Sequence, residues 1–142
     1  FNIFFLWEIT QKHPNIKSIE DEIIHFLHNH DTKYDLILLF NVIVFLNKKE
    51  FLIILPKILG MLTPGWILSI SFFFADDETM SQNKELSFYD FDDLIIPEGF
   101  SLVRTENELV EEAHKPYWLH THHVGYIEIK CKYDWNKCCF IW

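Results

Sequence analysis

Glycine is scarce in this chain. Four occur in 142 residues, at Gly60, Gly65, Gly99 and Gly125, and no two form a G-x-G pattern. No glycine-rich loop is therefore present to let the backbone press close to a nucleotide. Basic residues are few as well: 12 Lys and Arg stand against 21 Asp and Glu, a formal net charge of −9. The Lys residues are scattered, and without clustered cations to displace counterions nucleic acid is not an expected partner. Cysteine is confined to Cys131, Cys138 and Cys139. An odd number with an adjacent pair does not suit a disulfide framework, so a reducing, cytoplasmic setting is expected. No apolar run reaches the roughly 20 residues that a membrane span needs. The longest, Leu36 to Leu46, is interrupted by Asn41 and followed by Asn47-Lys48-Lys49-Glu50. Phe1 to Trp7 is apolar, but no basic stretch precedes it and no small-residue cleavage site follows, so neither a signal peptide nor a membrane partner is expected.

What is present points to a packed domain. Hydrophobic residues make up 49% of the chain and aromatics 17%, which excludes disorder, and the length suits one core. Tyr34 to Ser71 organises the rest. Leu36 to Phe40 is an unbroken apolar run, which predicts a strand buried on both faces of a parallel sheet. Glu50 to Leu62 carries apolar residues at helical spacing, with a kink expected at Pro56. Thr63-Pro64-Gly65 should stop that helix, and Trp66 to Phe74 reads as a second strand. Strand, helix and strand in this order predict a βαβ unit with parallel strands.

The flanks are less regular. Phe1 to Lys12 suits a strand, or the end of one running into a helix, and Ile16 to Ile19 a short strand. Glu22 to His28 looks helical; His25, His28 and His30 would lie on its polar face, with His25 and His28 spaced to pair. Ala75 to Asn83 is loop-like. Phe88 to Ile96 has helical spacing, ended by Pro97-Glu98-Gly99. Phe100 to Val103 is a strand candidate, and Glu108 to Glu112 is acidic. In Val124 to Cys131, Ile127 and Ile129 alternate with Tyr126, Glu128 and Lys130, the pattern of an outer strand with one wet face.

Tyr34-Asp35-Leu36-Ile37-Leu38 and Leu62-Thr63-Pro64-Gly65-Trp66 are similar to the "fD-hydrophobic" fourth strand and the "kPGG" turn of class I S-adenosylmethionine-dependent methyltransferases. Trp66 stands where the family has a second glycine. NVIVFL followed by a helix, and histidines before a late strand, most resemble the small tellurite-resistance type. The resemblance implies an α/β, Rossmann-like, mostly parallel sheet with an antiparallel last strand. In it strands four, five, seven and six are neighbours in that order. Residues 1–142 would form a single methyltransferase-like domain. Residues 1–30 would run from the end of strand two through strand three and a helix, 31–74 would be the central βαβ unit, and 75–142 a helix and the last two strands.

The same resemblance implies that strand one, its glycine-rich loop and the acid ending strand two are not in this sequence. Strands one and two lie between three and four in the family, so the sheet has a gap. An N-terminally incomplete domain is expected, with Phe1 to Trp7 as a replacement strand the alternative. Unpaired buried backbone groups cost about 1–3 kcal/mol each, so a further N-terminal segment or a second copy of the chain is an expected partner. The isolated chain should bind S-adenosylmethionine weakly or not at all. The implied enzyme transfers a methyl group to a small-molecule substrate, such as a soft chalcogen oxyanion.

Methyl transfer from a sulfonium is an in-line displacement that needs positioning and water exclusion more than a nucleophile or a metal, so no catalytic residue is assigned. HPNIKSIEDEI resembles the phrase ending strand three, which puts Asp21 or Glu22 at the acid that binds the adenine amino group. The alternative for either is a helix-capping acid. Phe40, Asn41 and Val42 end the fourth strand, where open α/β sheets bind ligands; Asn41 faces the donor or the acceptor, or else satisfies local backbone. His114, His120 and His122 are candidates for the acceptor side, as base or oxyanion ligand, or are ordinary surface or strand-end histidines. His120 and His122 would share one face of a strand, but a structural zinc site wants four ligands, so no metal ligand is assigned. Two rival functions are a non-catalytic methyltransferase-like interaction module and, less favoured, a His-based metal-binding protein. The apolar tail from Tyr133 to Trp142 suits packing on the sheet or a partner contact.

Overall fold

The structure is a computed structural model that describes residues 12–13, 15, 19, 21–78, 86–113 and 119–132. The chain divides into two compact units, Phe1–His30 and Asp31–Trp142. In the first, helix α1 spans Ile23–Asn29. Asp21 Oδ1 accepts the Glu22 N–H at 2.9 Å, and the same carboxylate binds His25 Nδ1 at 2.7 Å. At the other end, His28 and His30 donate from Nδ1 to the carbonyls of Ile24 and Phe26 at 2.7 and 3.0 Å. These two carbonyls belong to the last turns of the helix. The spacing of His25 and His28 allowed a pair, but each ring bonds elsewhere.

The second unit is built on the predicted βαβ segment. Strand β1 is Tyr34–Leu39, helix α2 is Lys48–Gly60, and β2 is Leu62–Phe73, parallel to β1. Asn47 caps α2, its side chain accepting the Lys49 N–H at 2.9 Å. Phe51, Ile54, Leu55, Ile58 and Leu59 form the buried stripe of α2 at i, i+3, i+4, i+7 and i+8. Pro56 lies inside this helix without ending it. Its ring is exposed, and the carbonyl it leaves without an amide donor is that of Leu52, four residues earlier. The helix ends at Gly60, two residues earlier than the spacing predicts, and Lys33 Nζ donates to the Gly60 carbonyl. Thr63-Pro64-Gly65 is therefore a bulge at the start of β2 and not the stop of the helix. Tyr34 pairs with Leu62 but Leu36 with Ile67, so three extra residues loop out of the ladder. Pro64 has no N–H to pair, and Gly65 takes φ +86.

Two further strands complete a four-stranded sheet in the order β1-β2-β4-β3. They are β3, Phe100–Glu112, and β4, His120–Cys131. Strand β4 is antiparallel to both neighbours. It is an inner strand, not the outer one its alternation suggested; Ile127 and Ile129 are buried as expected, and Tyr126 and Glu128 are half-buried. The face carrying Leu68, Ile70 and Phe72 is fully buried. Strand β1 is buried on one face only: Leu36 and Leu38 are 54% and 51% exposed.

Two expectations fail locally. Phe88 to Ile96 is not a helix; it holds one 3-10 turn, Phe91–Asp93, capped reciprocally by Asp90 and Asp93. Tyr89 decides this. Its N–H donates to the Phe73 carbonyl at 3.0 Å, and its hydroxyl donates to the Ile43 carbonyl at 3.1 Å. Those bonds draw the segment out extended across the core, and burial first, then the Asp93 charge, pushes the phenol pKa up to about 12. Strand β3 is also much longer than Phe100 to Val103. Its residues are mostly exposed, which is how a charged edge strand reads in sequence.

Candidate functional site

The carboxyl ends of β1 and β2 and the start of β4 meet at one edge of the sheet. Phe73 pairs with Val124, and the Phe74 N–H donates to the His123 carbonyl at 3.0 Å. Ligands of open α/β sheets bind beyond this edge.

At the end of β1, Asn41 takes φ +53, the sole non-glycine with a positive φ among the described residues. Its N–H donates to Ser71 Oγ at 2.9 Å, and the Ser71 hydroxyl donates back to Asn41 Oδ1 at 3.0 Å. A left-handed asparagine held by a buried serine is a fixed, strained corner, and such corners collect at functional sites. Phe40 and Val42 flank it, 51% and 36% exposed.

His120 and His122 lie two apart on β4 and so share a face; both are buried. Their Nε2 atoms are 2.8 Å apart. His122 Nδ1 stands 3.0 Å from Asp77 Oδ2, on a carboxylate with no exposed side-chain surface. The carboxylate accepts Nδ1–H, so His122 presents the lone pair of Nε2, and His120 donates its Nε2–H to it. The His122 ring stacks on Phe73, centroids 4.8 Å apart and 11° from parallel. Phe73 and Ser71 are alternate residues of β2, about 7 Å apart along one face. The asparagine corner and the histidine pair thus rest on adjacent same-face positions of β2.

The acids around this edge come from the turn after β2. Asp77 Oδ2 also accepts the His123 N–H at 2.9 Å, Asp76 Oδ1 binds His123 Nδ1 at 2.7 Å, and Glu78 Oε2 accepts the Thr121 N–H at 2.6 Å. Glu112, at the end of β3, places Oε2 3.9 Å from His122 Nε2. These acids escaped sequence reasoning, which took ADDE as a loop. The available signal was an acidic run directly after a buried strand, at the edge where ligands bind.

Asp21 and Glu22 belong to the first unit; Asp21 is engaged by His25, and Glu22 makes no side-chain cap to α1. His114 lies outside the described residues, as does the tail from Tyr133. A cavity of about 580 Å³ opens over the middle of the sheet between Phe40, Ser69, Arg104 and Tyr126. In it Arg104 pairs with Glu106 at 2.7 Å, and the Tyr126 hydroxyl donates to Glu108 at 2.9 Å. Burial and that bond raise the Tyr126 pKa. The strained, buried and convergent groups lie at the sheet edge, and the candidate site is placed there.

No family model and no curated protein matches the chain. Solved structures do. One belongs to work on the conversion of a disulfide bond into a thioacetal group during echinomycin biosynthesis; it aligns with TM-score 0.66 and 12% identity over 92% of this chain and 61% of its own. TehB from Haemophilus influenzae aligns with TM-score 0.62 and 16% identity over 92% of this chain and 46% of its own. At such identities the likeness shows the fold alone, and the fold is the α/β, Rossmann-like methyltransferase fold that the sequence implied. The chain spans about half the length of these structures.

Proposed function

We propose that the chain is part of an S-adenosylmethionine-dependent methyltransferase acting on a small molecule. One observation carries this reading. The four strands stand in the order and directions of the second half of a methyltransferase sheet, and the strained Asn41 closes β1 at the ligand edge. The residues present suit one side of the cofactor. The exposed Phe40 ring offers an apolar platform, and Asn41 and Val42 offer polar and apolar walls. For the other side, the 142 residues hold no G-x-G pattern. When bound, S-adenosylmethionine supplies a methyl group on a positively charged sulfur. The work of this chain is to hold the acceptor against that edge and exclude water. The His120–His122 pair, with Asp77 fixing the tautomer of His122, would line the acceptor side of that edge.

The test is calorimetric titration of S-adenosylmethionine and S-adenosylhomocysteine into the 142-residue chain. Micromolar binding, about −8 kcal/mol, that weakens in Asn41→Ala supports the reading. Absence of binding by a folded chain would mean either the incomplete cofactor site expected from the sequence or a second reading, an interaction module. That reading has its own support: Leu36 and Leu38 of β1, the end strand of the sheet among the described residues, and Phe40 just past it form a half-exposed apolar row.

A further inference from the structure

The sequence assigned no metal ligand, yet His120, His122 and Glu112 converge. One ligand atom from each lies within 4.8 Å of the others. The geometry points to a divalent transition-metal site of the zinc class, held by His120 Nε2, His122 Nε2 and the Glu112 carboxylate.

Four features carry this beyond a hydrogen-bonded histidine pair. First, the two Nε2 atoms are already close, 2.8 Å apart on rings set at 87° to each other. A tetrahedral ion about 2.1 Å from each nitrogen sets them about 3.4 Å apart. The observed 2.8 Å asks for an opening of about 0.6 Å between two alternate side chains of β4, with the His120 proton moved from Nε2 to Nδ1. Second, Asp77 already plays the outer-shell role. Metal-bound histidines characteristically donate their remote N–H to a carboxylate, which fixes the tautomer and raises ligand basicity; His122 does this at 3.0 Å on a fully buried acid. Third, the charge balances. Glu112 and Asp77 offset a dication, and Asp76 and Glu78, bound to His123 and the Thr121 N–H, add negative potential at the same edge. Fourth, the ligands differ in burial. The histidines are buried, while the Glu112 side chain is 49% exposed. Three protein ligands with one wet side leave a coordination position open, the form of a reactive site and not of a closed structural one.

The ligand set is also specific in type. Two imidazoles and a carboxylate suit zinc, iron, cobalt or nickel and not magnesium or calcium, which take oxygen ligands. A loaded site would carry net positive charge among its direct ligands. It would turn an acidic rim into a position for an oxyanion or a thiolate. The metal site itself stands whether or not the chain is a methyltransferase.

The test is calorimetric titration of zinc into the metal-stripped 142-residue chain without S-adenosylmethionine, repeated with magnesium. One equivalent of zinc should bind with sub-micromolar affinity, and magnesium should not. His120→Ala and His122→Ala should each weaken zinc binding at least 100-fold. Asp77→Asn and Glu112→Gln should weaken it about 10- to 100-fold. Glu112→Gln changes an exposed edge residue and is read in a chain whose circular dichroism is unchanged. Zinc binding that is equal in the wild type and in all four variants would place the ion on other histidines or cysteines and overturn the site. So would magnesium binding as tight as zinc. Because S-adenosylmethionine is absent, failure here leaves the cofactor titration above unaffected, and the reverse holds too.

Discussion

Replacing Asn41 separates backbone strain from hydrogen bonding at the candidate site. Asn41 holds φ +53, a conformation that costs a residue with a Cβ about 1–2 kcal/mol unless its side chain bonds locally. Asparagine does bond locally, accepting the Ser71 hydroxyl at 3.0 Å. Ser71 is only 2% exposed, so removing that acceptor leaves a buried donor, at about 1–3 kcal/mol. Asn41→Gly loses the second contribution alone, since glycine adopts positive φ freely. Asn41→Ala loses both, about 2–5 kcal/mol by adding the ranges just given. The backbone N–H bond to Ser71 Oγ survives in each variant, so the difference between them reports the strain. Urea unfolding at equilibrium measures it as a shift in midpoint at constant slope. The alanine variant should be less stable than the glycine variant by about 1 kcal/mol or more. An alanine variant as stable as the glycine variant would refute the strained corner.

Two further outcomes follow from packing and charge. Gly125→Ala should destabilise by about 1–3 kcal/mol, a fall of several degrees in Tm by thermal unfolding. A Cβ there would lie 2.6 Å from Phe72 Cε2 and 3.0 Å from Phe74 Cε2, and the Phe72 ring is wedged edge-on between Phe74 and Phe91; Phe72→Leu should partly rescue it. Burial raises the Asp93 pKa, but the Lys48 hydrogen bond, the Asp90 N–H and the Lys48 charge outweigh it and hold the carboxyl below its usual value. A depressed carboxyl stabilises the fold fully above its unfolded pKa of about 3.9 and loses that contribution as pH falls through the folded value. Wild type should therefore exceed Asp93→Asn by about 0.5–1 kcal/mol near pH 7, and the two curves should converge below pH 3 in urea melts at stepped pH.

The βαβ unit was legible in the residues because burial demanded it. A strand and a helix covering a core must show an apolar run and an apolar stripe, and YDLILL and FLIILPKIL show them. Asn41 was legible too, as one polar residue inside such a run. Local signals failed where a distant partner overrode them. Tyr89 reaches back to Phe73 and Ile43, which turns a helical spacing into an extended segment. Strand β3 owes its length to the ladder with β4, not to its own charged residues. The bulge at Thr63-Pro64-Gly65 appears only once β2 is laid beside β1. The histidines were visible in sequence as a cluster, but their chemistry was not. Asp77 meets His122 across 45 positions of chain, and Glu112 reaches it from the far end of the neighbouring strand. Periodicity and composition are set by which face each residue buries, so the sequence carries them alone. Convergence of side chains from separate strands depends on register and crossover, and those exist only in the folded sheet.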